Sequence, residues 1–109
     1  LGLAIDVRTR RPILGNITGG FAGPAIKPVA LRMVWQVAKA VNIPVSGLGG
    51  IMTGIDAIEF MMAGADTVQI GTANIIDPNA MERIADEMDE WCDKNGVKDI
   101  QEIVGTLKA

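Results

Sequence analysis

A short apolar run that ends in a cluster of glycines most constrains the fold of this chain. Residues 43–45 are Ile-Pro-Val, and their length, apolar character and flanking turn residues predict a buried strand. Gly47, Gly49 and Gly50 follow this run. Because glycine has no Cβ, backbone N–H groups at this point of the chain can approach a ligand closely. The segment therefore predicts a strand that leads into a bare turn.

A helix is predicted to begin directly after this turn, near Gly54. Thr53 is a suitable N-cap, and Asp56 places a carboxylate in the first turn, where the helix dipole favours negative charge. A strand, a bare turn and a helix N-terminus together form a natural site for an anion, most often phosphate. For one such segment alone, a tight turn without any ligand is an equally good interpretation.

A second copy of the same arrangement follows along the chain. Residues 67–70 are Thr-Val-Gln-Ile, which predict another short strand, and Gly71 and Thr72 come directly after them. The carboxyl ends of successive parallel strands meet at one edge of a sheet, so we expect the two glycine turns to lie side by side. Such a pair of turns, with a short extra helix, is the phosphate site of many (β/α)8 barrels. The pair favours a phosphate site over two unrelated turns.

Composition excludes several classes of function. The chain has 109 residues and a net charge of -3, which argues against nucleic acid or an anionic membrane as its partner. No apolar run approaches the roughly 20 residues of a membrane span. The chain has no histidine, which excludes a Ser-His-Asp triad and a His-rich metal site, and we expect no metal. A single cysteine, Cys92, cannot form a disulfide within the chain, which fits a cytoplasmic location. Cys92 falls at a core position of a predicted helix, so we do not expect it to be a nucleophile.

The rest of the chain predicts alternating strands and helices. Residues 3–5 predict a first strand, and residues 13–14 predict a short hairpin arm that pairs back. The glycine- and proline-rich residues 15–28 predict a long loop of the kind that carries binding residues. The predicted helices are one from Pro28 that ends at a left-handed Asn42, then residues 54–63, 73–76 and 77–95, and a last one capped by Asp99. The long fourth helix carries carboxylates that we expect to be exposed to solvent: Glu82, Asp86, Glu87, Asp89, Glu90 and Asp93.

The order of these elements is that of an α/β protein with three parallel strands and helical crossovers. Three strands cannot close a barrel, and a bare parallel edge is unfavourable. We therefore expect residues 1–109 to be the C-terminal part, about three βα units, of a single (β/α)8 TIM-barrel domain whose N-terminal part is missing.

Three segments together resemble one known family. They are GGFAGPAIKPVAL, GLGGI and QIGTAN, and the similarity covers essentially the whole chain. The chain resembles the C-terminal third of dihydroorotate dehydrogenases, and most closely the catalytic subunit of the NAD-linked class 1B members. The resemblance implies a (β/α)8 barrel that holds FMN at its C-terminal mouth. It also implies oxidation of dihydroorotate to orotate in the biosynthesis of pyrimidines.

The family's FMN contacts fall on residues of both glycine turns and of the long loop. The resemblance implies that backbone N–H groups of Gly49, Gly50, Gly71 and Thr72 bind the FMN phosphate, with help from the Thr72 hydroxyl. It implies that Gly23 lets the long loop approach the flavin without a Cβ clash. These five residues are the predicted cofactor site.

The resemblance also implies what this segment lacks. The family's catalytic cysteine, a lysine near the flavin ring and the asparagines that hold the substrate all match positions before Leu1, and Cys92 does not match the catalytic position. We therefore predict no catalytic residue within this chain and no activity for it alone. Class 1B further implies a homodimeric core with a second subunit that carries FAD and an iron–sulfur cluster.

Two alternatives stay open on the residues themselves. One is another phosphate-binding barrel, such as a different FMN oxidoreductase or a sugar-phosphate enzyme. The other is a non-catalytic, anion-binding fragment. The paired glycine turns do not separate these from the first interpretation, whereas the resemblance of the loop at residues 15–28 favours the dehydrogenase.

Overall fold

The computed structural model describes all residues from 1 to 109. Its strands are β1 (Gly2–Leu3), β2 (Ile5–Asp6), β3 (Arg11–Pro12), β4 (Thr18–Gly19), β5 (Ser46–Leu48) and β6 (Thr67–Gln69). Its α-helices are α1 (Lys27–Ala40), α2 (Gly54–Ala63), α3 (Thr72–Ile76) and α4 (Ala80–Asn95). Two 3-10 turns complete the chain, at Pro24–Ile26 before α1 and at Ile100–Ile103 after α4.

The parallel pair of β5 and β6 is the centre of the structure. Ser46 lies opposite Thr67, and Leu48 lies opposite Gln69, with α2 as the crossover between the two strands. Their carboxyl ends therefore point to the same edge, as the two strand-and-turn segments predicted. The first of these strands begins at Ser46 rather than at residue 43. Val45 precedes it: its N–H donates to the Asp66 side chain, and its carbonyl accepts from the N–H groups of Asp66 and Thr67.

The predicted parallel strand at residues 3–5 is wrong. β1 pairs antiparallel with β4, and β2 pairs antiparallel with β3. The chain turns back at once, because the Arg10 N–H donates to the Asp6 carbonyl at 2.8 Å and Arg10 takes a positive φ of 57°. With no helix between the paired segments, a parallel crossover cannot form. The N-terminal region is a hairpin, and the apolar side chain of Ile5 remains exposed.

The ends of three helices test the helix boundaries that were predicted from local sequence. Thr53 accepts a hydrogen bond from the Asp56 N–H and Asp56 accepts one from the Thr53 N–H, so α2 begins with a complete capping box. Gly96 ends α4 in the left-handed conformation. Asn42 does not play that role for α1, which ends at Val41 with extended backbone.

The core lies between α2, α4 and the parallel pair. Phe60 and Ile84 are its largest fully buried side chains. The two helices meet closely at Gly54, where an added Cβ would lie 2.5 Å from the Cβ of Glu87. Ala30 and Val34 bring α1 into the same core. No helix of the structure is both long enough and apolar enough to cross a membrane.

Candidate functional site

The carboxyl ends of β5 and β6 and the loop before α1 enclose a cleft of about 280 Å³. All five predicted cofactor residues line this cleft: Gly23, Gly49, Gly50, Gly71 and Thr72. An ideal Cβ on Gly23 would lie 3.8 Å from the Thr72 methyl carbon, so the long loop reaches the second glycine turn directly. The structure therefore brings together three segments that are far apart in sequence.

The turn after β5 requires glycine for reasons within the fold itself. Gly49 and Gly50 have φ values of 131° and 77°, which L-residues with a side chain rarely adopt. A Cβ on Gly50 would lie 2.8 Å from the backbone nitrogen of Lys27 and 2.9 Å from the Gly23 carbonyl oxygen. A Cβ on Gly49 would lie 2.6 Å from that of Ala30. Both the backbone angles and the packing therefore require glycine at these two positions.

Gly71 differs from the other glycines of the cleft. Its φ is -110°, which any residue can adopt, and an added Cβ would meet no protein atom within 4 Å. The fold therefore does not require glycine at this position. The open space in front of it faces the cleft, where a bound molecule could use it.

The cleft offers free hydrogen-bond donors and no ionisable side chain. The N–H groups of Gly49, Gly50 and Gly71 donate no hydrogen bond within the chain. Apolar side chains such as Phe21 and Met33 supply much of the remaining wall. Such an arrangement can hold an anionic group through backbone donors and an apolar group beside it. It contains no acid or base to transfer a proton.

An ion network on α1 and α2 borders the first turn. The Lys27 ammonium donates to Asp56 at 2.6 Å and to Glu59 at 2.7 Å. The second oxygen of Asp56 accepts from the N–H groups of Met52 at 2.9 Å and Thr53 at 3.1 Å. Lys27 also follows the loop that carries Gly23, so this network connects the loop to the turn after β5.

A second network borders the turn from α4. The Arg83 guanidinium donates to Glu87 at 2.9 Å, to Asp77 at 3.3 Å and to the Met52 carbonyl at 3.2 Å. The other oxygen of Glu87 accepts from the Gly54 N–H at 2.6 Å. The prediction that Glu87 is merely solvent-exposed charge is wrong, because Glu87 is partly buried and accepts from the Gly54 N–H, a partner 33 positions away that helical periodicity does not reveal.

The two networks lower the pKa values of Asp56 and Glu87. Partial burial opposes ionisation of Asp56, but hydrogen bonds from Lys27 and from the Met52 amide outweigh it and lower the Asp56 pKa from its ordinary 3.8. The Gly54 amide, and after it the Arg83 guanidinium, lower the pKa of Glu87 from its ordinary 4.5. Both groups are therefore charged at neutral pH.

Glu87→Gln is expected to change the acid sensitivity of folding. A lowered carboxyl pKa adds stability that is complete above about pH 4.5 and is lost as the pH falls through the folded-state value, because the unfolded chain then binds the proton first. Thermal unfolding of wild type and variant between about pH 7 and pH 3 should give a difference that shrinks below pH 4.5.

Glu90→Gln is the matched control, since Glu90 forms only an exposed pair with Lys94 on the same helix. Exposed pairs of this type contribute little, so its difference should be small at every pH. A Glu87→Gln difference that persists at full size near pH 3 would contradict the assigned role of Glu87.

Cys92 and the acidic side chains lie elsewhere. Cys92 is partly buried and does not line the cleft, and desolvation raises the pKa of its thiol. No group of three or more histidine, cysteine, aspartate or glutamate side chains is placed to hold a metal ion.

Comparison with known proteins gives consistent results. A family model described as dihydroorotate dehydrogenase matches residues 1–91. The catalytic subunit of dihydroorotate dehydrogenase B (NAD(+)) from Geobacter metallireducens is 64% identical over 107 residues, which cover 98% of this chain and 35% of that protein. The protein of the same name from Bacteroides fragilis is 57% identical over 108 residues, which cover 99% of this chain and 36% of that protein.

The fold comparison agrees with the sequence comparison. The crystal structure of DHODH from Eimeria tenella in complex with ferulenol superimposes with a TM-score of 0.77 at 28% identity. The superposition covers 96% of this chain and 29% of that one. The chain thus spans about a third of the length of the curated relatives that it matches.

Proposed function

Because this chain belongs to the dihydroorotate dehydrogenase family, we propose that residues 1–109 form the C-terminal portion of a single FMN-binding barrel domain. The solved structures that this chain resembles are TIM-barrel enzymes, and its own fold is part of such a barrel. Two parallel strands with their helices supply one section of such a barrel. The remaining strands would come from the part of the relatives' length that this chain does not cover.

The cleft at the ends of β5 and β6 fits a flavin phosphate. Backbone N–H groups of Gly49, Gly50 and Gly71 are free to donate, and Thr72 adds an N–H and a hydroxyl at the start of α3. Gly23 brings the long loop against Thr72 and keeps that approach free of a side chain. The free donors around a bare turn are the single observation that carries the proposal, since phosphate is the anion that such turns most often bind.

The proposed reaction of the full-length protein is the oxidation of dihydroorotate to orotate. Bound FMN would supply the hydride acceptor, which no amino-acid side chain can provide. The residues of this chain bind and orient the cofactor and present an apolar wall that excludes water. No ionisable group lines the cleft, which supports the proposal that another part of the protein supplies the base for the substrate proton.

The names of the relatives support a second subunit. They are catalytic subunits of an NAD(+)-linked enzyme, and the name implies a partner. We propose a homodimeric core whose partner subunit carries FAD and an iron–sulfur cluster and passes electrons to NAD. The partner must dock close to the flavin, because electron transfer requires short distances.

The test is purification of the full-length protein from its own cell under gentle conditions. A yellow protein that releases FMN on denaturation, copurifies with an iron–sulfur subunit and oxidises dihydroorotate with NAD would support the proposal. A colourless preparation that cannot be reconstituted with FMN would contradict the cofactor site. A homodimer that reduces fumarate instead would contradict the proposed partner.

A further inference from the structure

The backbone of Met52 is held from two sides by side chains of different helices. Its N–H donates to Asp56 of α2, which is itself bonded to Lys27 of α1. Its carbonyl accepts from Arg83 of α4. Met52 follows the turn of Gly49 and Gly50 by two residues, so its position determines where the free amides of that turn point.

Arg83 also bonds to the residue at the end of α3, the helix that begins at the second glycine turn. Its Nε donates to Asp77, the residue that ends α3, and the Asp77 N–H is bonded to the Ala73 carbonyl. Because α3 has only five residues, its end fixes its beginning at Gly71 and Thr72. One guanidinium therefore contacts the segment after β5 through the Met52 carbonyl and the segment after β6 through the Asp77 carboxylate.

We propose that Arg83 is a positioning residue that sets the spacing between the two phosphate-binding turns. The inference rests on the proposed FMN site and adds a residue to it that lies outside the cleft. A guanidinium has five donors in a rigid plane and can hold a carbonyl and two carboxylates at once. Lysine, with one flexible ammonium, cannot hold all three in the same geometry.

The hydrogen bonds of Arg83 distinguish it from a residue that forms only a surface ion pair. Lys94 pairs with Glu90 on the same helix at 2.8 Å and touches no other element. Arg83 forms the same kind of pair with Glu87, also four residues away, and in addition bonds two loops. The i,i+4 pair alone would stabilise α4 slightly. The two further bonds are what give Arg83 an influence on the cleft.

The experiment compares FMN with riboflavin, which has the same ring system without the phosphate. Full-length apoprotein of wild type, Arg83→Met, Arg83→Lys and Lys94→Met is titrated with each flavin by fluorescence. We expect Arg83→Met to weaken FMN binding roughly tenfold and riboflavin binding less than about twofold, a difference of about 1 kcal/mol or more. Arg83→Lys should show an intermediate loss of FMN affinity, and Lys94→Met should change neither affinity.

Each outcome decides one proposal. A wild-type protein that binds riboflavin as tightly as FMN would overturn the phosphate site itself, and with it the proposed function. A wild type that prefers FMN, with the same preference in Arg83→Met, would overturn only the role of Arg83. An equal loss for both flavins would also overturn that role, because it would indicate general destabilisation. If Arg83→Met does not fold, Arg83→Lys decides, since an unchanged preference for FMN in that variant overturns the inference.

Discussion

Gly71→Ala is expected to weaken FMN binding at least tenfold while leaving the stability of the apoprotein unchanged. The fold leaves the space in front of Gly71 open and its φ is not positive, so neither packing nor a left-handed backbone opposes alanine, and the variant should unfold close to the wild-type temperature. A bound phosphate would occupy that space, and a methyl group there would push it away from the free amides. A tenfold change corresponds to about 1.4 kcal/mol of binding free energy.

The measurement pairs a flavin titration with thermal unfolding of the apoprotein. Gly15→Ala is the matched control, because an added Cβ there also meets no atom within 4 Å and Gly15 lies outside the cleft. Gly50→Ala should behave differently and lower both stability and affinity, since its Cβ would collide with backbone atoms of Lys27 and Gly23. Unchanged FMN affinity in Gly71→Ala would remove this turn from the phosphate site.

Phe60→Ala is expected to lower the free energy of unfolding by about 3–5 kcal/mol, the usual cost of removing a buried aromatic ring. Phe60 is completely buried and packs beneath β5, where Gly47 leaves room for its ring. A Cβ on Gly47 would lie 2.7 Å from the ring. The loss should therefore combine lost burial with a cavity below the strand that leads to the cleft.

Urea unfolding of the full-length apoprotein would measure this effect. The other phenylalanine, Phe21, is 53% exposed, and Phe21→Ala should cost less than about 1 kcal/mol of stability. Similar losses for the two variants would contradict the assignment of Phe60 to the core.

Local sequence signals were sufficient at the start of α2 and at the end of α4. The capping box of Thr53 and Asp56 and the left-handed Gly96 depend on residues within one helical turn, and both are present. The parallel pairing of the two strands also followed from their order and from the helix between them. The residues of the predicted cofactor site lie in one cleft, while their contact with FMN remains a prediction.

Sequence signals failed where the outcome depends on a contact that apolar pattern and helical periodicity do not show. Residues 3–5 have the apolar character of a barrel strand, but the tight turn at Arg10 directs them into a hairpin. Glu87 has the spacing of an exposed helical residue, but the Gly54 N–H, 33 positions away in sequence, donates to it. No periodicity in α4 indicates that Arg83 contacts Met52, because that contact joins residues 31 positions apart.

The backbone after β5 divides its amides between two uses. The N–H groups of Met52, Thr53 and Gly54 are all committed to carboxylates, whereas those of Gly49 and Gly50 donate to nothing within the chain. The committed amides fix the loop before any ligand binds. The conformational entropy that a flexible loop would lose on binding is therefore lost on folding instead. A preorganised loop of this kind therefore converts more of the energy of its hydrogen bonds to an anion into affinity than a flexible loop does.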